Sequence, residues 1–133
     1  MPPVREVRGR AASEGIYAGP IVCFDRRATA RRHSGSLAGE REALRAAIAA
    51  AMADIAALIS KAPKDGADIL AFQLAMLEDP ALGEPAFAAI SLSRPASDAW
   101  TSSLDAEIAG YETSEEEYFR ARAADLKDIR GRV

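Results

Sequence analysis

Cysteine and histidine are almost missing from this 133-residue chain: there is one of each, Cys23 and His33. A lone cysteine excludes an internal disulfide framework and fits a reducing compartment. One cysteine and one histidine at this separation make no zinc-binding spacing. Aromatic residues reach only 6%, and none is interleaved with the arginines of "DRRATARRHSGS", residues 25–36. That stretch therefore reads as a polar connector rather than a base-stacking nucleic-acid patch. The net charge of −3 and pI near 5.2 point the same way. No apolar run approaches the ~20 residues that span a bilayer. The opening "MPPVREVRGR" lacks the apolar stretch of a secretory signal, so a cytoplasmic protein is expected. A phosphate-binding glycine loop is missing too. His33 has no orienting neighbours in its connector, so it offers neither a base nor a nucleophile.

What the chain does have is alanine, charge and helical periodicity. Hydrophobic residues make up 49% and charged residues 28%, a balance that favours packed helices over sheets. A chain of this length buries roughly two thirds of its unfolded surface, enough for a real core. Ser36 is a natural N-cap for a helix over 37–61, whose Leu37, Leu44, Ile48, Met52, Ile55, Leu58 and Ile59 form one stripe. Pro63 and Gly66 end it. A second helix follows over 67–78. Asp79-Pro80 then stops that helix and opens the next, because proline at a first helical position needs no N–H. This third element restarts or kinks at Gly83-Glu84-Pro85. Pro95 opens a fourth, with Trp100, Leu104, Ile108 and Tyr111 on one face. Ser114 and Glu117 have capping-box spacing, and the acidic run there reads as an N-terminal first turn rather than a metal site. The last helix aligns Phe119, Ala123, Leu126, Ile129 and Val133, and lacks a C-cap, which suggests that the natural protein continues. Ahead of the helices, Glu6-Val7-Arg8 with Ile16-Tyr17, and Pro20 to Phe24, read as two short strands punctuated by glycine turns. Cys23 falls in the second as a small core residue. Two strands alone are marginal and need a partner.

The second helix is unusual. In "AFQLAMLEDPAL", residues 71–82, Ile69, Phe72 and Met76 cluster on one side, and Leu70, Leu74 and Leu77 on another. The apolar arc spans roughly 200°, wider than the ~100° stripe of a surface helix. Periodicity favours burial on two sides, with Gln73 hydrogen-bonded inside. The alternative gives one cluster to the core and the other to a partner. In the last helix, Arg122 and Asp125 stand three apart, and Asp128 and Arg132 four apart, so each pair shares a face. Solvated bridges of this kind contribute only tenths of a kcal/mol. The functional reading is an arginine at a groove edge, kept for an acidic or phosphorylated partner.

Three stretches together resemble one family, phosphoenolpyruvate (PEP)–protein phosphotransferase, Enzyme I of the sugar phosphotransferase system. They are "GRAASEGIYAGPIV", "FQLAMLEDPAL" and "EYFRARAADLKDIRGRV", and they frame nearly the whole chain in the family's order. The resemblance implies a mainly α fold: an antiparallel bundle of four to five helices after two short N-terminal strands that belong to an incomplete α/β phosphohistidine domain. It divides the chain into a β segment at 1–25, a linker at 26–36 and a helical subdomain at 37–133. The family's Ser-His motif and PEP-binding barrel have no counterpart here, so no autophosphorylation or PEP turnover is expected of this chain by itself. Its Mg2+ acts with PEP, so no cofactor is expected in this chain. Its dimer forms through a C-terminal domain. The implied role is docking of HPr, a small histidine phosphocarrier, on Gln73, Met76, Leu77, Asp79 and Arg122. Partners would be HPr and the remaining domains of the enzyme, with neither nucleic acid nor membrane. The family often has histidine at the position of Gln73, acidic residues at Pro80 and Ala81, and Ser-Pro-Gly where "SEG" stands.

Other readings stay open. The equivalent domain of a dihydroxyacetone-kinase multiphosphoryl protein, or of a nitrogen-system Enzyme I, would share the motifs. A small all-helical enzyme of the chorismate mutase type would need Arg41, Arg45, Gln73 and Arg122 to converge inside the bundle. A bare helical scaffold would need no site at all.

Overall fold

A computed structural model describes residues 3, 6–11, 13–20, 22 and 31–133. The chain separates into two units, residues 1–30 and residues 31–133.

In the first unit the described residues form no strand. Glu6-Val7-Arg8 and Ile16-Tyr17 leave Val7, Ile16 and Tyr17 exposed, so the expected first strand does not form. Among the described residues of this unit no sheet takes up its backbone hydrogen bonds, and isolated strands do not persist in water. Of the expected second strand, Pro20 and Val22 are likewise non-strand, while Ile21, Cys23 and Phe24 lie outside the described residues. The glycine punctuation is present: residues 13–15 bend, with Gly15 at φ +127°, a backbone region open mainly to glycine.

The second unit is a bundle of five helices: α1 Leu37–Ile59, α2 Lys64–Glu78, α3 Pro80–Ser91, α4 Ala96–Glu112 and α5 Glu117–Arg132. The connectors between the helices are short, which favours packing of successive helices against one another. α1 packs mainly on α2, and α4 packs on both α3 and α5; α2 also touches α5. The periodic stripes meet in one core. Leu44, Ala51 and Ile55 of α1 face Ala86 and Ile90 of α3, Trp100, Leu104 and Ile108 of α4, and Ala123, Leu126 and Ile129 of α5. Leu37 and Leu58, expected in the α1 stripe, are exposed at its ends.

Local chemistry sets the boundaries. Ser36 caps α1 as its sequence position implies, its Oγ accepting from Gly39 N at 3.0 Å. α2 begins at Lys64, earlier than expected, with Pro63 as its extended N-cap. Asp79 alone joins α2 to α3: it ends one helix in an extended conformation and caps the next, its Oδ1 accepting from Ala81 N at 2.9 Å. α3 runs through Pro85 without the expected restart. Ala81, whose carbonyl loses its i+4 donor, is exposed, so water can serve it. The Ser114–Glu117 capping box does not form. Ser114 Oγ accepts from Glu116 N at 3.2 Å, a two-residue turn that delays α5 to Glu117.

Candidate functional site

The α2 helix supplies most of the residues on which a docking role would rest, and the structure sorts them by depth. Leu77 is 6% exposed and belongs to the core. Gln73 is 5% exposed. Neither presents a surface to a partner, because the side of α2 that carries them packs against the rest of the bundle. Met76 is half-buried, and Asp79 is exposed. Arg122, on α5, is half-buried. The buried residues of α2 are Gln73 and Leu77, with Leu70, Leu74 and Met76 half-buried at the margins, so the helix buries one side and not the two that its wide apolar arc suggests. Ile69, in the same expected cluster as Met76, is exposed.

Met76 and Asp79 line a cleft of about 210 Å³ together with Leu82, Pro85, Glu107 and Tyr111. Leu104 and Leu126 from the core also line it. A neighbouring depression of about 360 Å³ shares Glu107 and Tyr111 and extends the face to Phe119. Tyr111 and Phe119 stack with ring centroids 5.9 Å apart, and Tyr118 meets Phe119 edge-on at 5.5 Å. The outcome is a strip of mixed polar and apolar lining across α2, α3, α4 and α5. Two carboxylates, Asp79 and Glu107, stand on it. Leu82, Tyr111 and Phe119 were not expected at this site. Tyr111 and Phe119 read as core stripe residues, since periodicity cannot tell the buried centre of a stripe from its edge.

Arg122 lies beside this strip and is held on several sides. Its guanidinium carbon is 3.4 Å from the Phe72 ring centroid and 4.7 Å from that of Tyr118. Nη2 donates to the Tyr118 hydroxyl at 2.8 Å. Nη1 lies 3.6 Å from Asp125 Oδ2. Gln73 Nε2 donates to the other oxygen of Asp125 at 3.3 Å, which leaves Gln73 Oε1 buried without a partner. Gln73 is therefore a support beneath Arg122 rather than a contact residue. The C-terminal pair also forms, with Arg132 Nε 2.9 Å from Asp128 Oδ2.

A second cleft, of about 320 Å³, is lined by Ile48, Met52, Leu77, Phe87 and Trp100, with Arg45 at its edge. Asp79 and Leu82 line both clefts. Arg41 and Arg45 stand over the Phe87 ring, 5.5 and 5.7 Å from its centroid. Arg122 and Gln73 meet elsewhere, at Phe72 and Asp125. The four residues that a chorismate mutase type of site would need are thus divided between two places.

The most strongly perturbed acid was not anticipated. Glu40, in the first turn of α1, is 1% exposed. Its carboxylate accepts from Arg31 Nη1 at 2.8 and 3.0 Å, from Ser34 N at 2.7 Å and from Ala96 N at 2.7 Å. The Arg31 guanidinium, then the Ala96 and Ser34 amides, hold it far below the usual carboxylate range. Glu40 fastens the connector to α1 and caps α4, whose own N-cap Pro95 has no side-chain acceptor. His33 is exposed, its Nδ1 accepting from Gly35 N at 2.9 Å. Among the described residues, no three His, Cys, Asp or Glu side chains group closely enough to hold a metal ion.

These features define a class of protein: a helical domain with a mixed polar and apolar strip that carries two carboxylates, beside one restrained arginine. The family is established by comparison. A model of the family "PEP-utilising enzyme, N-terminal" matches residues 8–122, and the chain belongs to that family. A similar curated protein is the phosphoenolpyruvate-protein phosphotransferase of Listeria monocytogenes serovar 1/2a (strain ATCC BAA-679 / EGD-e), 29% identical over 141 aligned residues. That alignment takes in 97% of this chain and 24% of the relative. The chain thus spans about a quarter of the length of the curated relative it matches. No described helix is long and apolar enough to cross a membrane.

Proposed function

We propose that residues 31–133 dock an HPr-like histidine phosphocarrier for phosphoryl transfer within a PEP-dependent, cytoplasmic sugar phosphotransferase system. The phosphorylated histidine and the PEP site would belong to the remainder of that enzyme. The observation that carries this reading is the strip formed by Met76, Leu82, Tyr111 and Phe119 with Asp79 and Glu107 on it. An apolar centre supplies contact area, and charges around it steer and orient the partner. The acidic rim calls for a basic, apolar patch on that partner. The name of the curated relative, a phosphoenolpyruvate-protein phosphotransferase, supports an Enzyme I-like parent over a multiphosphoryl protein of the dihydroxyacetone system.

The test is amide chemical-shift mapping of the isotopically labelled chain with added HPr. Shifts are expected at 76–82, at Tyr111 and at 119–122. A Met76→Asp variant should weaken binding by about tenfold or more, the scale of a central contact, while the bundle still melts cooperatively. Phe119→Asp tests the same strip from a more exposed position. Shifts centred instead on Ile48, Phe87 and Trp100, or none at millimolar HPr, would overturn the assignment.

A further inference from the structure

Resting on the docking reading, we propose that Asp125 determines how strongly this domain discriminates between the phosphorylated and unphosphorylated forms of its carrier. It does so by keeping Arg122 in a loose, exchangeable ion pair.

The geometry separates two jobs that one salt bridge usually combines. Phe72 and Tyr118 fix the plane and place of the Arg122 guanidinium, through the 3.4 Å stack and the 2.8 Å hydroxyl bond. Neither neutralises its charge. Asp125 does, but at 3.6 Å it stands beyond good hydrogen-bonding distance. The two side chains are 22% and 21% exposed, so a partner's anionic group can reach the pair. Asp125 is itself restrained, because its other oxygen accepts from the buried Gln73 amide. It cannot follow Arg122 outward, nor swing away. A fixed guanidinium therefore sits beside a fixed carboxylate.

An unphosphorylated carrier meets a pair with no net charge. A phosphorylated carrier brings a doubly charged group, attracted by Arg122 and repelled by Asp125. The two effects largely offset, so the domain does not hold the phosphorylated carrier more tightly than the free one. For a donor domain this matters: the carrier must leave once it has received its phosphoryl group, and an unopposed arginine would retain it.

The experiment compares the wild-type chain with Asp125→Asn by isothermal titration. The titrants are HPr phosphorylated on its histidine and HPr unphosphorylated, at low and at physiological salt. Asparagine keeps the oxygen that accepts from Gln73 Nε2, so folding should persist, as a thermal melt will verify. D125N should bind the phosphorylated carrier about threefold to tenfold tighter, the scale of one partly screened unit charge. Binding of the unphosphorylated carrier should stay within about twofold, and the difference should shrink as salt shortens the electrostatic range. An equal change for both forms, or no change for either, would overturn the role given to Asp125 and leave docking intact. Weaker binding of both would overturn it too, by making Asp125 a positioning residue for Arg122. Failure of the wild-type chain to bind either form would sink the docking reading and this inference with it.

Discussion

Replacing Gln73 by leucine should make the bundle more stable, against the usual expectation for a buried amide. Gln73 is 5% exposed, yet its Oε1 has no hydrogen-bond partner. A buried orphan acceptor costs about 1–3 kcal/mol. The bond lost on substitution, from Nε2 to the Asp125 carboxylate at 3.3 Å, is long, at the weak end of the about 1.5–3 kcal/mol that bonds to charged groups contribute. Asp125 is 21% exposed, so water can replace the amide. Leucine also adds apolar contact on a side already facing Leu70 and Leu77, at about 25 cal/mol per Å² buried. The balance is a gain of about 1 kcal/mol, or a rise in Tm of about 4–8 °C for a domain near 100 residues. Urea titration followed by circular dichroism measures it, with an unchanged m-value as the check that only stability moved. A loss of 1 kcal/mol or more would show that Oε1 is satisfied in solution and that the polar pair contributes net stability. The same variant separates support from contact. Binding of the unphosphorylated carrier should stay within about twofold, as for residues outside an interface centre, and a larger loss would return Gln73 to the contact set.

Two further outcomes test the parts of the bundle that hold its ends. The folded-state pKa of Glu40 lies far below its ordinary value, so its contribution is complete above the unfolded value of about 4.3 and is lost as pH falls through the folded one. The stability difference between wild type and Glu40→Gln should be constant from neutral pH to about pH 5 and shrink progressively as pH falls further; a difference that peaks in acid would contradict the Arg31 and amide contacts. Ser93, at φ +68° after α3, occupies a left-handed position that glycine adopts freely. Ser93→Gly should therefore stabilise the chain by about 0.5–1 kcal/mol, read as a higher midpoint in thermal melting, and a lower midpoint would refute the strain at that turn.

The helices were legible because each carries a local signal. The α4 stripe of Trp100, Leu104 and Ile108 and the α5 stripe of Ala123, Leu126 and Ile129 emerge from spacing alone, and Ser36 announces α1. What spacing conceals is the partner across the bundle. Glu40 looks like an ordinary acidic residue at a helix N-terminus, favoured there by the dipole. Its decisive contact is the amide of Ala96, far along the chain. Gln73 and Asp125 are equally remote in sequence, and nothing local shows that one amide steadies the other's carboxylate. Among the described residues the N-terminal segment shows no strand for a related reason: β-type residues specify a strand only when another strand is present to pair with it. For α2 the difficulty was different. An arc of roughly 200° assigns burial to most of the helix, so it cannot say which margin stays open. That required the positions of α3 and α5.

Asp79 shows how much of the candidate site is architecture before it is recognition. It is the single residue between α2 and α3, and its carboxylate is already used to cap α3 through Ala81 N. Pro80 follows at the first helical position, with φ preset for the turn. Together they fix the angle at which Met76, near the end of α2, faces Leu82, near the start of α3, and those two side chains line one cleft. A carboxylate in this place thus has two consequences from one position. One oxygen sets the geometry of the strip, and the charge it leaves at the rim favours a basic partner. An isosteric amide would preserve the first and lose the second, so the presence of Asp at this joint fits a surface on which fold and docking share the same atoms. Gln73, Asp125 and Arg122 are likewise linked: a buried amide holds a carboxylate beside an arginine whose place is set by Phe72 and Tyr118. On the proposed docking role, specificity would depend less on how many charges the domain exposes than on how firmly its few charges are held.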